Sequence, residues 1–146
     1  MSQENVELHY RALDAFNRRD LNAYLALMDD DAEAVPRSSA LEGENSYRGH
    51  GGIRQWWNNQ LDVFPDFSVE VAEVRDLGDV TCAAIYLRGH GAGSAAPTNQ
   101  ANWNMIRWRR GKCTWWRMFE AQAEALDAVG LSEKTLTPTP ESRAFD

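Results

Sequence analysis

Two cysteines, three histidines and five prolines among 146 residues remove several classes of protein at once. Cys82 and Cys113 sit inside apparent strands with no metal-ligand spacing around them, so buried free thiols are expected rather than a disulfide framework or a zinc site. Long apolar runs are missing too. No stretch approaches the roughly 20 residues that a membrane span needs, and Met1 to Val6 lacks the cationic and apolar regions of a signal peptide. A cytoplasmic protein with no membrane partner is expected. Basic residues are outnumbered, 15 Lys and Arg against 22 Asp and Glu, for a net charge of -7. A polyanion such as nucleic acid is therefore an unsuitable partner, because phosphate binding runs on clustered cations. The one basic cluster, Arg107, Arg109, Arg110 and Lys112, falls at a hairpin tip and reads as a solvated turn. Gly89 to Gly93 does not sit between a strand and a helix, so it is no phosphate cradle. Asp29-Asp30-Asp31 lacks the glycine of a calcium loop and also reads as a solvated turn. With no nucleophile-base-acid set either, no metal or cofactor is expected.

What remains is enough for one domain with a real core and too short for two. Glu4 to Asn17 carries a helical stripe of Val6, Tyr10, Leu13 and Phe16, with Ser2 as a cap. Asp20 can cap a second helix through Leu21, Tyr24, Leu25 and Met28. Three acids then end it, since negative charge opposes a helix C-terminus. Ala32 to Ser38 is a short strand interrupted by Pro36, followed by a polar loop over Ser39 to Gly49. A third helix begins at Gly51 or Gly52, with Ile53, Trp56, Trp57, Leu61 and Phe64 on one side and Pro65 as its stop. Alternating Phe67 to Arg75, then Val80 to His90, are strands. After a glycine-rich bend, Asn99 to Glu120 forms a hairpin with a tight Arg-Gly-Lys turn. It holds four of the six tryptophans: Trp103, Trp108, Trp115 and Trp116. A last helix over Ala121 to Val129 stops at Gly130, and residues 132–146 read as a flexible tail. Helices followed by an antiparallel meander make an α+β layer architecture, with a cone-shaped pocket under a strongly curved sheet.

In order and spacing, several segments resemble the SnoaL-like branch of the NTF2-like superfamily. These are Glu4-Asn5-Val6-Glu7, Ala15-Phe16-Asn17-Arg18-Arg19-Asp20-Leu21, Tyr47-Arg48-Gly49-His50, Ile53-Arg54-Gln55-Trp56-Trp57, Phe64-Pro65-Asp66-Phe67, Arg110-Gly111-Lys112 and Glu124-Ala125-Leu126. The resemblance implies one such domain over 1–131. Its fold would be a cone, a curved antiparallel sheet wrapped by three helices from the N-terminal half around a central pocket, plus a short C-terminal helix. The superfamily spans polyketide cyclases, ketosteroid isomerases, epoxide hydrolases, dehydratases and non-enzymatic transport factors. The isomerase-like tyrosine of the first helix corresponds to about Ala12 or Leu13 here, the Asp base to a place near Pro36, and the protonated Asp donor to Asn104. The cyclase-like acid of the last strand corresponds to Met118, after a matching Trp116-Arg117. The cyclase-like histidine corresponds to Gly91, or with a one-residue slip to His90.

Alternation places Asn102, Asn104, Ile106 and Trp108 on one face of the first hairpin strand, and Thr114, Trp116, Met118 and Glu120 on one face of the second. An Asn amide donates a hydrogen bond without a raised pKa, so Asn104 could polarise a carbonyl; equally, Asn102 and Asn104 could satisfy a buried network. Glu120 could move a proton or cap the last helix. His50 is a helix-start residue with a possible proton-transfer role. Arg37 could bind an anionic group or pair with Glu33 or Glu42. Trp56, Trp57, Phe64, Trp108, Trp116 and Met118 would supply the pocket wall. The opposite face, Trp103, Met105, Arg107, Trp115, Arg117 and Phe119, reads as a homodimer interface. The expected ligand is a small, largely apolar organic molecule. The expected chemistry is a cofactor-independent isomerase, cyclase, hydratase or hydrolase, with a non-catalytic binding or interaction module as the alternative.

Overall fold

The computed structural model describes residues 2–36, 46–90, 97–128 and 130. Arg37, the middle of the glycine-rich bend and the tail over 132–146 lie outside the described residues. Helices α1 (Ser2–Asn17) and α2 (Leu21–Ala26) lead into β1 (Met28–Val35), a short β2 (Tyr47–Arg48) and α3 (Gly49–Val63). Strands β3 (Ser68–Asp76), β4 (Val80–His90), β5 (Pro97–Arg109) and β6 (Lys112–Phe119) follow, and α4 (Gln122–Ala128) closes the described chain. The strands form one six-stranded sheet in the order β2-β1-β6-β5-β4-β3. Neighbours are antiparallel except β1 and β6, which run parallel. That pairing brings the start of the chain beside its last strand, a contact a simple meander does not contain.

Local chemistry explains most boundaries. The Asp20 carboxylate accepts from the Ala23 N–H at 3.0 Å and caps α2. Arg19, at φ 61°, breaks the two helices apart. Its guanidinium then donates to the carbonyls of Phe16, Pro65 and Phe67 at 3.1, 3.2 and 2.6 Å, tying α1 to the segment after α3. Arg110 and Gly111 both have positive φ, 54° and 78°, the signature of a two-residue type I′ hairpin turn between β5 and β6. Gly49 (φ 75°) is needed where α3 meets β1, since a Cβ there would stand 3.2 Å from the Asp30 carbonyl oxygen.

Three sequence expectations change. The acidic run Asp29–Asp31 is part of β1 rather than a turn. Pairing with β6 jumps from Met28↔Cys113 to Glu33↔Trp115, so these acids ride out on a bulge where they need no partner across the ladder. The buried stripe of α1 is His9, Ala12, Leu13 and Phe16, while Tyr10 is 46 % exposed. Both sets have helical spacing, but counting only strongly apolar residues favoured the wrong one. On β6, Thr114 leaves the inner face and Cys113 takes it, because the register shifts between Arg107 and Trp108.

The main core lies between the inner sheet face and helices α1 to α3. An aromatic cluster fills it: Phe16, Tyr24, Trp56, Trp57, Phe67 and Trp116. Trp56 and Trp116 meet edge-on with ring centroids 4.8 Å apart. A smaller cluster of Val80, Cys82, Met105, Phe119 and Ala125 sits on the opposite face under α4. Cys82 and Cys113 are free and buried, and burial pushes both thiols up to about 12. No described helix is long and apolar enough to cross a membrane.

Candidate functional site

The wall of the site is built by alternation. On β5, Asn102, Asn104, Ile106 and Trp108 point inward and are buried. Asn104 stands across the ladder from Met118, and Ile106 from Trp116. Opposite this wall, α3 contributes Trp56, Asn59, Gln60 and Val63, and the chain after it Phe64 and Phe67. Between them opens a cleft of about 330 Å³, floored by Trp56, Trp116 and Met118. Asn102, Phe64 and Glu120 also line it. Glu120 is exposed there, just past the end of β6. Asn102 donates to the Ala101 carbonyl at 2.7 Å.

Beneath this floor lies an inner cavity of about 30 Å³, room for about one water molecule or one ligand oxygen. Trp56, Phe67, Trp116 and Met118 border both spaces. The rest of its wall is Leu13, Phe16, Tyr24, Val69 and Asn104. Burial raises the Tyr24 phenol well above its ordinary range, assisted by the nearby Cys113.

Asn104 is the end of a buried polar chain. Its Oδ1 lies 2.9 Å from His9 Nε2, and His9 Nδ1 lies 2.6 Å from Thr81 Oγ1. Trp108 Nε1 donates to the same hydroxyl at 2.9 Å, and Asn104 Nδ2 donates to the Arg117 carbonyl at 3.4 Å. His9 and Thr81 have no exposed surface. Desolvation lowers the His9 pKa to about 4, against a smaller upward effect of the Asn104 bond, so its imidazole is neutral at pH 7.

The structure thus brings together Asn102, Trp56, Phe64, Trp116, Met118 and Glu120 around the cleft, with Asn104 behind its floor. It sets other candidates elsewhere. Trp57 packs on Phe16 and Tyr24 in the core and borders neither space. Trp108 is spent on Thr81 and an edge contact to His9. His50 Nε2 lies 3.0 Å from the Met28 carbonyl, to which it donates, pinning the start of α3 to β1. His90 is exposed, and its backbone N–H and then its Nδ1, each 2.8 Å from the Asp66 carboxylate, lower the pKa of that group. Among the described residues no group of three or more His, Cys, Asp or Glu stands close enough to hold a metal ion. Arg37 cannot be placed, since it lies outside the described residues. Sequence reasoning passed over His9 and Thr81. The available signal was His9 at i-3, i-4 and i-7 from Ala12, Leu13 and Phe16, a polar residue inside an apolar stripe.

The family model for the SnoaL-like domain matches residues 9–121. This chain belongs to the SnoaL-like domain family. No protein of curated function matches its sequence. Among solved structures, it is similar to a protein with a ketosteroid isomerase-like fold from Catenulispora acidiphila, in complex with trimethylamine. Identity there is 19 % and the TM-score 0.70, covering 92 % of this chain and 98 % of that one. It is similar to TerC co-crystallised with polyporic acid at 19 % identity and TM-score 0.70, over 85 % and 96 % of the two chains. It is also similar to the epoxide hydrolase/cyclase-like enzyme SalBIII, which acts in pyran ring formation in the polyether salinomycin. That match has 15 % identity and TM-score 0.69 over 84 % and 95 %. At these identities the likeness is one of fold: the SnoaL-like chain shares the NTF2-like cone, an open curved sheet wrapped by helices.

Proposed function

We propose that this SnoaL-like protein binds a small, largely apolar, carbonyl- or ring-bearing molecule in the cleft and acts on it without a cofactor, as an isomerase, cyclase, hydratase or hydrolase. In this reading the apolar body lies against Trp56, Phe64, Trp116 and Met118. Asn104 polarises an oxygen that reaches the inner cavity, and Glu120 at the rim moves the proton. The observation that carries the reading is the wall the two spaces share: the same four side chains border the cleft and the cavity where Asn104 stands. Met118, an unbranched thioether, can repack to let an oxygen through. Proteins of the same fold holding trimethylamine or polyporic acid lend support.

Calorimetric titration with a panel of aryl ketones, lactones and quinones tests it. Saturable binding to the native chain, lost in Val63→Arg at an exposed cleft position, is the expected result. No binding by any member overturns the reading. A second reading, a binding module without turnover, is favoured by Met118 standing where cyclase-like members carry an acid. Glu120→Gln separates the two: conversion of a bound compound that this substitution abolishes supports the enzyme.

We also propose a homodimer through the outer sheet face. Trp103, Trp115 and Arg117 are half-buried there, with the Arg117 guanidinium 6.0 and 5.5 Å from the Trp115 and Phe119 ring centres. Arg117→Glu should move the sedimentation profile from dimer to monomer, and an unchanged profile overturns this interface.

A further inference from the structure

The buried chain behind Asn104 has a direction, and its carbonyl end dictates it. Trp108 Nε1 can only donate, and the Arg117 carbonyl can only accept. Starting from the carbonyl, Asn104 must turn Nδ2 toward Arg117 and therefore Oδ1 toward His9. A neutral imidazole has one donor and one acceptor, so Nε2 carries the proton and Nδ1 is bare. Thr81 must then donate its hydroxyl proton to Nδ1, which leaves its lone pairs for the Trp108 N–H. The Trp108 end is compatible with this assignment, since the Thr81 oxygen accepts the indole N–H through a lone pair whichever way its own proton points. Every polar atom of His9, Thr81 and the Trp108 indole then has a partner, the Thr81 hydroxyl both donating and accepting. The Asn104 amide keeps one proton on Nδ2 with no partner among the described residues, beside the inner cavity.

We infer that His9, Thr81 and Trp108 are positioning residues that fix Asn104 as a hydrogen-bond donor, so that the site takes a molecule leading with an acceptor oxygen, such as a ketone, lactone or quinone, in preference to one leading with a hydroxyl or amine proton. The inference rests on the cleft being the ligand site. A second observation agrees with it. Among the described residues, the buried side-chain nitrogens and oxygens without a partner are all N–H donors, and two of the three, Trp56 Nε1 and Trp116 Nε1, belong to rings that border both spaces. The site holds surplus donors and no surplus buried acceptor, a balance that an incoming oxygen corrects.

Two measurements test it. Imidazole 15N NMR of the wild-type protein at pH 7 should show His9 protonated at Nε2 and bare at Nδ1. The opposite tautomer overturns the relay, and this needs no variant to fold. Calorimetry should then compare acetophenone with ethylbenzene, which differ in the acceptor. The ketone should bind up to about tenfold tighter in the wild type, the range a single net hydrogen bond supplies. The preference should survive in Thr81→Ser, which keeps the hydroxyl, and fall close to one in Thr81→Val. A ratio equal in all three proteins overturns the positioning role. Failure of both compounds in the wild type overturns the cleft as their site and the ligand class with it, while the NMR result still decides the relay separately.

Discussion

The two faces of the β5–β6 hairpin use similar residues to opposite ends. Inside, Asn104, Trp108 and their partners His9 and Thr81 form a chain in which the polar atoms of His9, Thr81 and the Trp108 indole all meet complementary ones, sealed beneath α1. Outside, the cations Arg107 and Arg117 lean on the Trp115 ring, with guanidinium carbons 5.4 and 6.0 Å from its centre, and Arg117 Nε is buried without a hydrogen-bond partner. The inner face is specified by directional bonds that fail if one member is removed. The outer face is held by non-directional ring contacts that tolerate exchange. α4 covers only part of it, packing Ala125 over Met105 and Phe119.

That contrast can be broken in order of size. Trp116→Ala, which removes a 2 % exposed ring from the floor of the cleft, should cost about 3–5 kcal/mol in denaturant unfolding. A loss below about 1 kcal/mol would mean that the aromatic cluster is not a close-packed unit.

The second prediction uses pH. His9 has a folded pKa of about 4, below its ordinary 6.5. Between these values the unfolded chain takes up a proton that the folded chain refuses, so stability present above pH 6.5 is lost as the pH falls toward 4. One group with this shift accounts for roughly 3 kcal/mol. Carboxylates also titrate in this window, so the informative quantity is the difference between the wild type and His9→Gln. The variant's pH profile should be the flatter of the two, and parallel profiles would contradict a neutral buried imidazole.

Third, Asn104→Leu takes the acceptor from His9 Nε2 and the donor from the Arg117 carbonyl, and should cost about 1–3 kcal/mol. Its measurement bears on function as well, because an unchanged unfolding midpoint with abolished turnover would assign Asn104 to catalysis alone. Smallest of all, Arg117→Met on the outer face should change stability by no more than about 0.5 kcal/mol, since it removes an unsatisfied donor and keeps the ring contacts. A loss as large as that of Asn104→Leu would erase the distinction between the faces.

Much of this was written in the chain. Asp20 as a cap, Pro65 after α3, Arg110-Gly111 as a turn and Gly130 after α4 are local signals whose meaning depends on a few neighbouring dihedrals. Period-two alternation likewise put Asn102 and Asn104 on the same inner face. The misreadings share a cause. Asp29–Asp31 looks like a turn until a parallel partner strand arrives from residues 113–117, and Thr114 looks inward until a bulge at the hairpin tip shifts the register.

Sequence alone therefore determined the SnoaL-like fold, the order of its elements and the identity of the wall that carries Asn104, because periodicity and turn chemistry act over a few residues. Only the tertiary structure decided what Asn104 is bonded to. His9 stands 95 positions away in the chain and Thr81 another 72 positions from His9. A hydrogen bond's donor and acceptor roles are set by whichever group arrives at about 3 Å, and no local pattern records that arrival.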